Sequence, residues 1–306
     1  MKILPHRRLH YSGAAGRGLY AGGTITNYLG TISAIDYVEL ATTGNASDFG
    51  DLTQGRVIGS GGCASSTRGL FAGGYESINV IDYVTIASIG NATDFGNLIT
   101  AGYSRMGCSS STRGVFGGGY NGGMSAVIDY VTIASTGNAS DFGDLTLARY
   151  SGTACSSPTR GLFLGGYKEA PATAYNNIDY ITIASTGNAT DFGDLIAAML
   201  YNQGCASDTR GLSGGGSGEV SNIDYVTIAT TGNASDFGDL TLGRANPGSF
   251  SSLILGVWCG GIYAEPHTNV IDYITIASTG NATDFGDLTF AKMWGASCSS
   301  AHGGLA

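Results

Sequence analysis

Short apolar runs alternate with turn-forming clusters along the whole chain, and no apolar stripe of helical period persists anywhere in it. Residues 149–195 show the pattern most cleanly. One strand is expected from about Tyr150 to Ser156, and a second from Gly161 to Leu164, after the turn Ser157-Pro158-Thr159-Arg160 and before the stop Gly165-Gly166. A third should run from Ile178 to Ser185. The group Thr186-Gly187-Asn188 then supplies the residues a tight hairpin favours, leading to a fourth strand from Phe192 to Leu195. The runs are rich in β-branched and aromatic residues, which fit a pleated surface better than a helix.

This unit repeats six times. Ile-Asp-Tyr recurs with its carboxylate at Asp36, Asp82, Asp129, Asp179, Asp224 and Asp272, at spacings of 46, 47, 50, 45 and 48 residues. Thr-Arg-Gly-Leu-Phe-x-Gly-Gly is clearest at 67–74, 112–119 and 159–166, with weaker copies at 16–23, 209–216 and 254–261. Tandem four-stranded units of this length predict an all-β fold, a six-bladed β-propeller in which each antiparallel blade buries both faces against its neighbours. A lone blade has too little core to stand. The expected blades are 53–98, 99–145, 146–195, 196–240, 241–288, and one made by 17–52 together with 289–303. That last blade follows from the tail Thr289 to Ser300, which reads as another first strand and stops where a second would begin. A C-terminal strand would thus close the ring and hide its open edge, leaving residues 1–16 as an arm placed to touch a second copy. The rival is an incomplete seventh blade finished by another chain.

These residues resemble the kelch-type propellers. Arg149, Leu162-Phe163-Leu164-Gly165-Gly166, Tyr180 and Phe192-Gly193-Asp194-Leu195 fill the places of the kelch blade's Arg, apolar second strand with Gly-Gly, Tyr and aromatic-x-x-Leu. The pattern departs from kelch in using Phe where Trp is usual and in the longer stretch from Tyr180 to Phe192, so the third hairpin is expected to be built differently. The string Thr-Ile-Ala-Ser-Thr-Gly-Asn-Ala-Thr-Asp-Phe-Gly-Asp-Leu is also similar to repeats in virion structural proteins of tailed phages, particularly marine ones. That resemblance implies a virion location, with other virion proteins or a host-surface glycan or protein as partners.

Composition narrows the classes. With 51 Gly but 5 Pro and no triplet period, the chain is not collagen, and 12% charged residues with 42% hydrophobic ones argue against disorder. The net charge of −9 is periodic architecture, because 17 of the 18 Asp fall in three repeat columns and only Asp208 stands outside. Eleven Arg and three Lys form no phosphate-tracking stripe, so nucleic acid is not an expected partner. Nor is membrane insertion, since no apolar stretch reaches spanning length. The N-terminus lacks the apolar core of a secretory signal.

Recurrence favours scaffold over chemistry. The Asp36 to Asp272 column and Arg17, Arg68, Arg113, Arg160 and Arg210 recur blade by blade, as hydrogen-bonded carboxylates or Asp-Arg pairs would, whereas a catalytic group is needed once. Asn45, Asp48 and Asp51 offer three oxygen donors but lack the spacing of a calcium loop. The six Asn-Ala-Ser/Thr sequons read as hairpin residues rather than glycan acceptors. Cys63, Cys108, Cys155, Cys205 and Cys298 share one repeat position, taken by Phe250 in the sixth case, and read as small buried hydrophobes. His6, His10, His267 and His302 form no spaced ligand pair. No metal, cofactor or catalytic residue is expected, and the chain reads as non-enzymatic.

In an antiparallel meander, loops 1–2 and 3–4 leave one face and loops 2–3 leave the other. The former are near-invariant. The latter vary, with 11, 6, 8, 11, 6 and 9 residues between Gly-Gly and Ile-Asp, and carry Tyr28, Tyr75, Tyr120, Tyr167, Tyr175, Tyr263 and His267. Two readings stand side by side: aromatic residues for stacking on sugars or anchoring a protein, or drift in loops free to vary with the tyrosines packing locally. The leading expectation is a non-enzymatic phage virion structural protein using this face. The alternatives are an intracellular interaction scaffold and a carbohydrate-active enzyme, the last of which requires one blade to break the pattern with convergent acids or histidines.

Overall fold

The computed structural model describes residues 16–25, 30–57, 59, 61–169, 171–263 and 267–305. The arm 1–15 and Tyr28 therefore lie outside the described residues. The turn clusters divide the rest into six four-stranded antiparallel sheets arranged as a β-propeller. Blade 4 runs Thr153–Ser156, Arg160–Leu164, Asn177–Thr182 and Thr190–Asp194 from the axis outward. Its long second loop carries a small extra hairpin, Tyr167–Glu169 with Ala172–Ala174. Blade 5 runs Gln203–Ala206, Arg210–Gly214, Asn222–Thr227 and Ser235–Asp239.

Blade 1 is made from both ends of the chain. Ala296–Ser299 pairs antiparallel with Arg17–Ala21, in the register Leu19 to Cys298, so the inner strand of this sheet comes from the C-terminus. The ring closes within one molecule, and no seventh four-stranded sheet is present among the described residues.

Each apolar cluster lies between two blades rather than within one. Leu162, Leu164, Ile178 and Phe192 of blade 4 pack with Ala206, Val226 and Ile228 of blade 5, and equivalent clusters fill the other five junctions. With about 1.5–3 kcal/mol for each large side chain removed from water, such a junction supplies what a lone sheet lacks. The junctions interlock by size. Cys108 Sγ projects from the inner strand of blade 3 onto Gly161 of blade 4, where a Cβ would sit 2.7 Å from the sulfur. Cys155 meets Gly211 in the same way at 2.8 Å, and Phe250 fills the hollow over Gly18. This accounts for the cysteine column as knobs and for the Gly of Arg-Gly as holes. All six cysteines are free and buried, and burial raises the Cys155 thiol to about 12.

Two local expectations need correction. The third strand of blade 4 ends at Thr182, not Ser185, and the chain then makes no tight hairpin. It crosses to the outer strand of blade 3, where Gly187 N–H donates to Phe142 O at 2.7 Å, as Ala189 N–H does to Asp144 O. Those outer backbone groups would otherwise face solvent, so this loop covers an edge. A bulge between Ile178 and Asp179 offsets the pairing of strands three and four in every blade.

Candidate functional site

The two faces use their side chains differently. On the uniform face, Arg160 lies over the ring of Tyr180 in its own blade, at 4.7 Å, and its Nη1 donates to Ile228 O and Ala229 O of the next. Arg17, Arg68, Arg113 and Arg210 repeat the stacking and the reach into the following blade. The asparagines of the sequons bond between blades too. Asn188 Oδ1 accepts from Asp144 N–H at 3.1 Å, and Asn45, Asn91, Asn138, Asn233 and Asn281 do the same around the whole ring.

The repeated arginines therefore do not pair with the repeated aspartates; of the two arrangements open from the sequence, the carboxylates are hydrogen-bonded, and the Asp-Arg pairs that form use other arginines. They lie at the opposite end of the sheet from the carboxylates. A second cation column serves the latter: Arg56 with Asp82 at 3.0 Å, Arg105 with Asp129 at 3.2 Å, Arg149 with Asp179 at 2.9 Å, Arg244 with Asp272, and Lys292 with Asp36 at 3.2 Å. Each pair is buried, and desolvation lowers the Arg149 and Lys292 pKa values while raising those of Asp129 and Asp272. The carboxylates also pin the crossing between blades, as where Thr146 N–H and Oγ1–H both donate to Asp179. Asp224 keeps the crossing bond, from Ile196 N–H, but has no basic partner among the described residues.

Inner strands line a narrow axial cavity of about 60 Å³. Serine hydroxyls bond from blade to blade across it, Ser156 Oγ–H to Ser109 O and Ser109 Oγ–H to Ala64 O. The turn Gly303–Leu305 plugs its uniform end. His302 Nε2 lies 2.9 Å from Ala64 O, and burial lowers its pKa to about 4.

The variable end carries more unused surface. Just before each inner strand the backbone turns through positive φ, at Gly59, Ser104, Ser151, Tyr201, Asn246 and Trp294. Around the mouth these residues join hands: Ser151 N–H donates to Ser104 O, Tyr201 to Ser151, Asn246 to Tyr201, and Gly59 to Trp294. Positive φ is rare for bulky residues, yet Tyr201 and Trp294 adopt it at 62° and 58°.

From this ring the residues just before the turn meet those just after Gly-Gly. Tyr75, Tyr103, Tyr120, Tyr150 and Tyr167 form one strip of rings over blades 2 to 4, with successive centroids 5.0–5.7 Å apart. Tyr75, Tyr120 and Tyr167 are thus brought together, interleaved with Tyr103 and Tyr150, which the loop pattern did not single out. Glu169 raises the pKa of the Tyr120 phenol by hydrogen bonding to it, and burial followed by the Glu169 charge raises that of Tyr150. Tyr175 stands apart beneath Lys168 Nζ, 5.5 Å from its ring centre. Tyr263 is 46% exposed over blade 6, and His267 bridges back to Ile262. Across the mouth from the strip, a cleft of about 620 Å³ opens beside Tyr201 and Trp294.

Among the described residues no cluster of three His, Cys, Asp or Glu is placed to hold a metal ion, and no helix is long and apolar enough to cross a membrane. No protein-family model and no curated protein sequence matches this chain. Fold and face together define a class, a six-bladed β-propeller with one self-bonded face and one variable, aromatic-rich face.

Proposed function

We propose that this protein is a non-enzymatic recognition propeller, kelch-like in its blades, that serves as a structural component of a tailed-phage particle and engages other virion proteins or a host-surface glycan or protein through its variable face. The observation that carries the recognition reading is the tyrosine strip. Five rings from three blades lie tilted or edge to face across one surface, with Tyr75 42% exposed, and aromatic groups of this kind anchor contacts with little loss of side-chain freedom. The non-enzymatic reading is supported by the use of the acids: five strand-three aspartates are held by buried cations and all six pin crossings between blades. Blade 5 breaks the repeat by losing a cation, not by gathering acids or histidines. The virion setting rests on the likeness of the repeated string to phage virion repeats.

Proteomics of purified particles from the source tests the setting; the chain's absence from intact particles overturns it. Presenting the protein on a glycan array and to particle proteins, alongside a Tyr75→Ser/Tyr120→Ser/Tyr167→Ser variant, tests the face. Loss of binding in the folded variant is expected, and undiminished binding removes the strip from the proposal.

A further inference from the structure

The cleft opposite the tyrosine strip breaks the sixfold pattern most sharply. Its walls come from three blades: Tyr201 and Glu219 from blade 5, Asn246 and Ile262 from blade 6, and Met293 and Trp294 from the approach to the strand that closes the ring. Tyr201 and Trp294 stand 6.5 Å apart at an interplanar angle of 60°, dividing the cleft from the channel mouth. Both hold a backbone turn that Gly59 makes without strain elsewhere in the ring, and Glu219, at φ 56°, is held in the same unfavourable region. Local strain of this kind, about 1 kcal/mol or more per residue, gathers where a side chain is needed for more than the backbone's own sake. At about 620 Å³ the space matches that of small-ligand sites.

The chemistry of the walls selects the ligand. Among the described residues Glu219 is the only charged side chain lining the cleft, and a phosphate or carboxylate ligand meets its repulsion. Two aromatic rings and an apolar floor of Met293 and Ile262 suit a flat C–H face, and the Glu219 carboxylate accepts hydroxyl donors. Asn246 adds an amide that both donates and accepts, a pairing that vicinal hydroxyls match and a quaternary ammonium does not. We infer that this cleft binds a neutral hexopyranose unit, its C–H face against Trp294 and Tyr201 and its hydroxyls on Glu219 and Asn246. The inference rests on the variable face being the recognition surface and adds the site and the ligand class.

The test titrates the full chain with methyl glucoside, galactoside, mannoside and N-acetylglucosaminide, with choline and inorganic phosphate as counter-probes, followed by calorimetry and tryptophan emission. The chain has two tryptophans; Trp258 is fully buried with its Nε1–H on Gln203 O, so a change in emission on binding reports Trp294. At least one glycoside should bind and shift the emission, while Glu219→Gln weakens it about tenfold by removing a charged acceptor. Trp294→Gly relaxes the strained turn and so keeps the fold, and calorimetry should show binding lost. Ile89→Ser, at an exposed position on the uniform face, should leave glycoside affinity unchanged, and Tyr120→Ser probes the strip separately. Binding of choline alone overturns the ligand class. Glycoside binding that survives Glu219→Gln and Trp294→Gly but falls in Tyr120→Ser overturns the cleft and leaves the face reading intact. No glycoside binding at all overturns the inference, and a blank glycan and particle-protein screen as well brings down the face reading with it.

Discussion

Blades 4 and 5 are neighbours built on nearly the same string, and they treat the strand-three carboxylate differently. In blade 4, Asp179 is fully buried, held by Arg149, which also donates to Phe163 O. In blade 5, Met199 takes the backbone place of Arg149, its carbonyl accepting from Gly166 N–H as Arg149 O accepts from Gly119 N–H. Asn202 turns its amide to Ser213 instead, and Asp224 is only partly buried. The difference teaches that the charge pair is one solution to packing a crossing strand, not a requirement of the ring. Where the pair is given up, partial access to water takes over part of its task, and that same blade supplies Tyr201 and Glu219 to the cleft.

The largest effect should come from unbalancing the locked blade. Asp179→Asn leaves Arg149 charged and buried without its partner, and is expected to lower stability by about 3–5 kcal/mol in denaturant unfolding. Asp224→Asn, which retains an oxygen to accept from Ile196 N–H and strands no cation, should fall within about 0.5 kcal/mol of the parent. Equal losses in the two variants would show that the blades do not differ. Next come Gly161→Ala and Gly211→Ala, each placing a Cβ under 3 Å from a cysteine sulfur of the preceding blade, with an expected cost of about 1–3 kcal/mol apiece. Here the two blades should behave alike, and adding Cys108→Ala to Gly161→Ala should restore much of the loss. Arg160→Leu, which copies the Leu255 found at that place in blade 6, should cost only about 0.5–1 kcal/mol, because the guanidinium is partly exposed.

The smallest effect is a pH dependence. Burial raises the Asp224 pKa above its ordinary 3.8, so the folded state holds this proton more tightly than the unfolded state. The resulting stabilisation is full below the unfolded value and is lost as pH rises through the folded one. Asp224→Asn should therefore gain on the parent as pH is raised from acid toward neutral. A stability difference that stays flat over that range would mean water already satisfies the carboxylate.

The ring was legible because each repeat carries its own turn chemistry and the chain ends in an unpaired first strand. The cation column was hidden by spacing: Arg149 precedes its blade's cysteine by six residues, Arg56 by seven and Arg105 by three, so no fixed offset marks it. Similarly, the strip was half visible. Tyr75, Tyr120 and Tyr167 follow Gly-Gly at a constant place, but Tyr103 and Tyr150 lie on the approach to an inner strand, where only the positive-φ turn reveals that they face the same mouth. That turn falls on Ser, Tyr, Asn and Trp as well as Gly, and so leaves no glycine signature to read.

Because Ala296–Ser299 is the inner strand of the sheet that also holds Arg17–Ala21, a ribosome has emitted every other strand before the circle can shut. Until then the earliest sheet stands three strands wide with its axial edge bare. Completion of the closed state therefore waits for residues 296–299 to be made, and a circular permutant that begins at residue 289 and joins residue 306 to residue 1 should finish its first blade first.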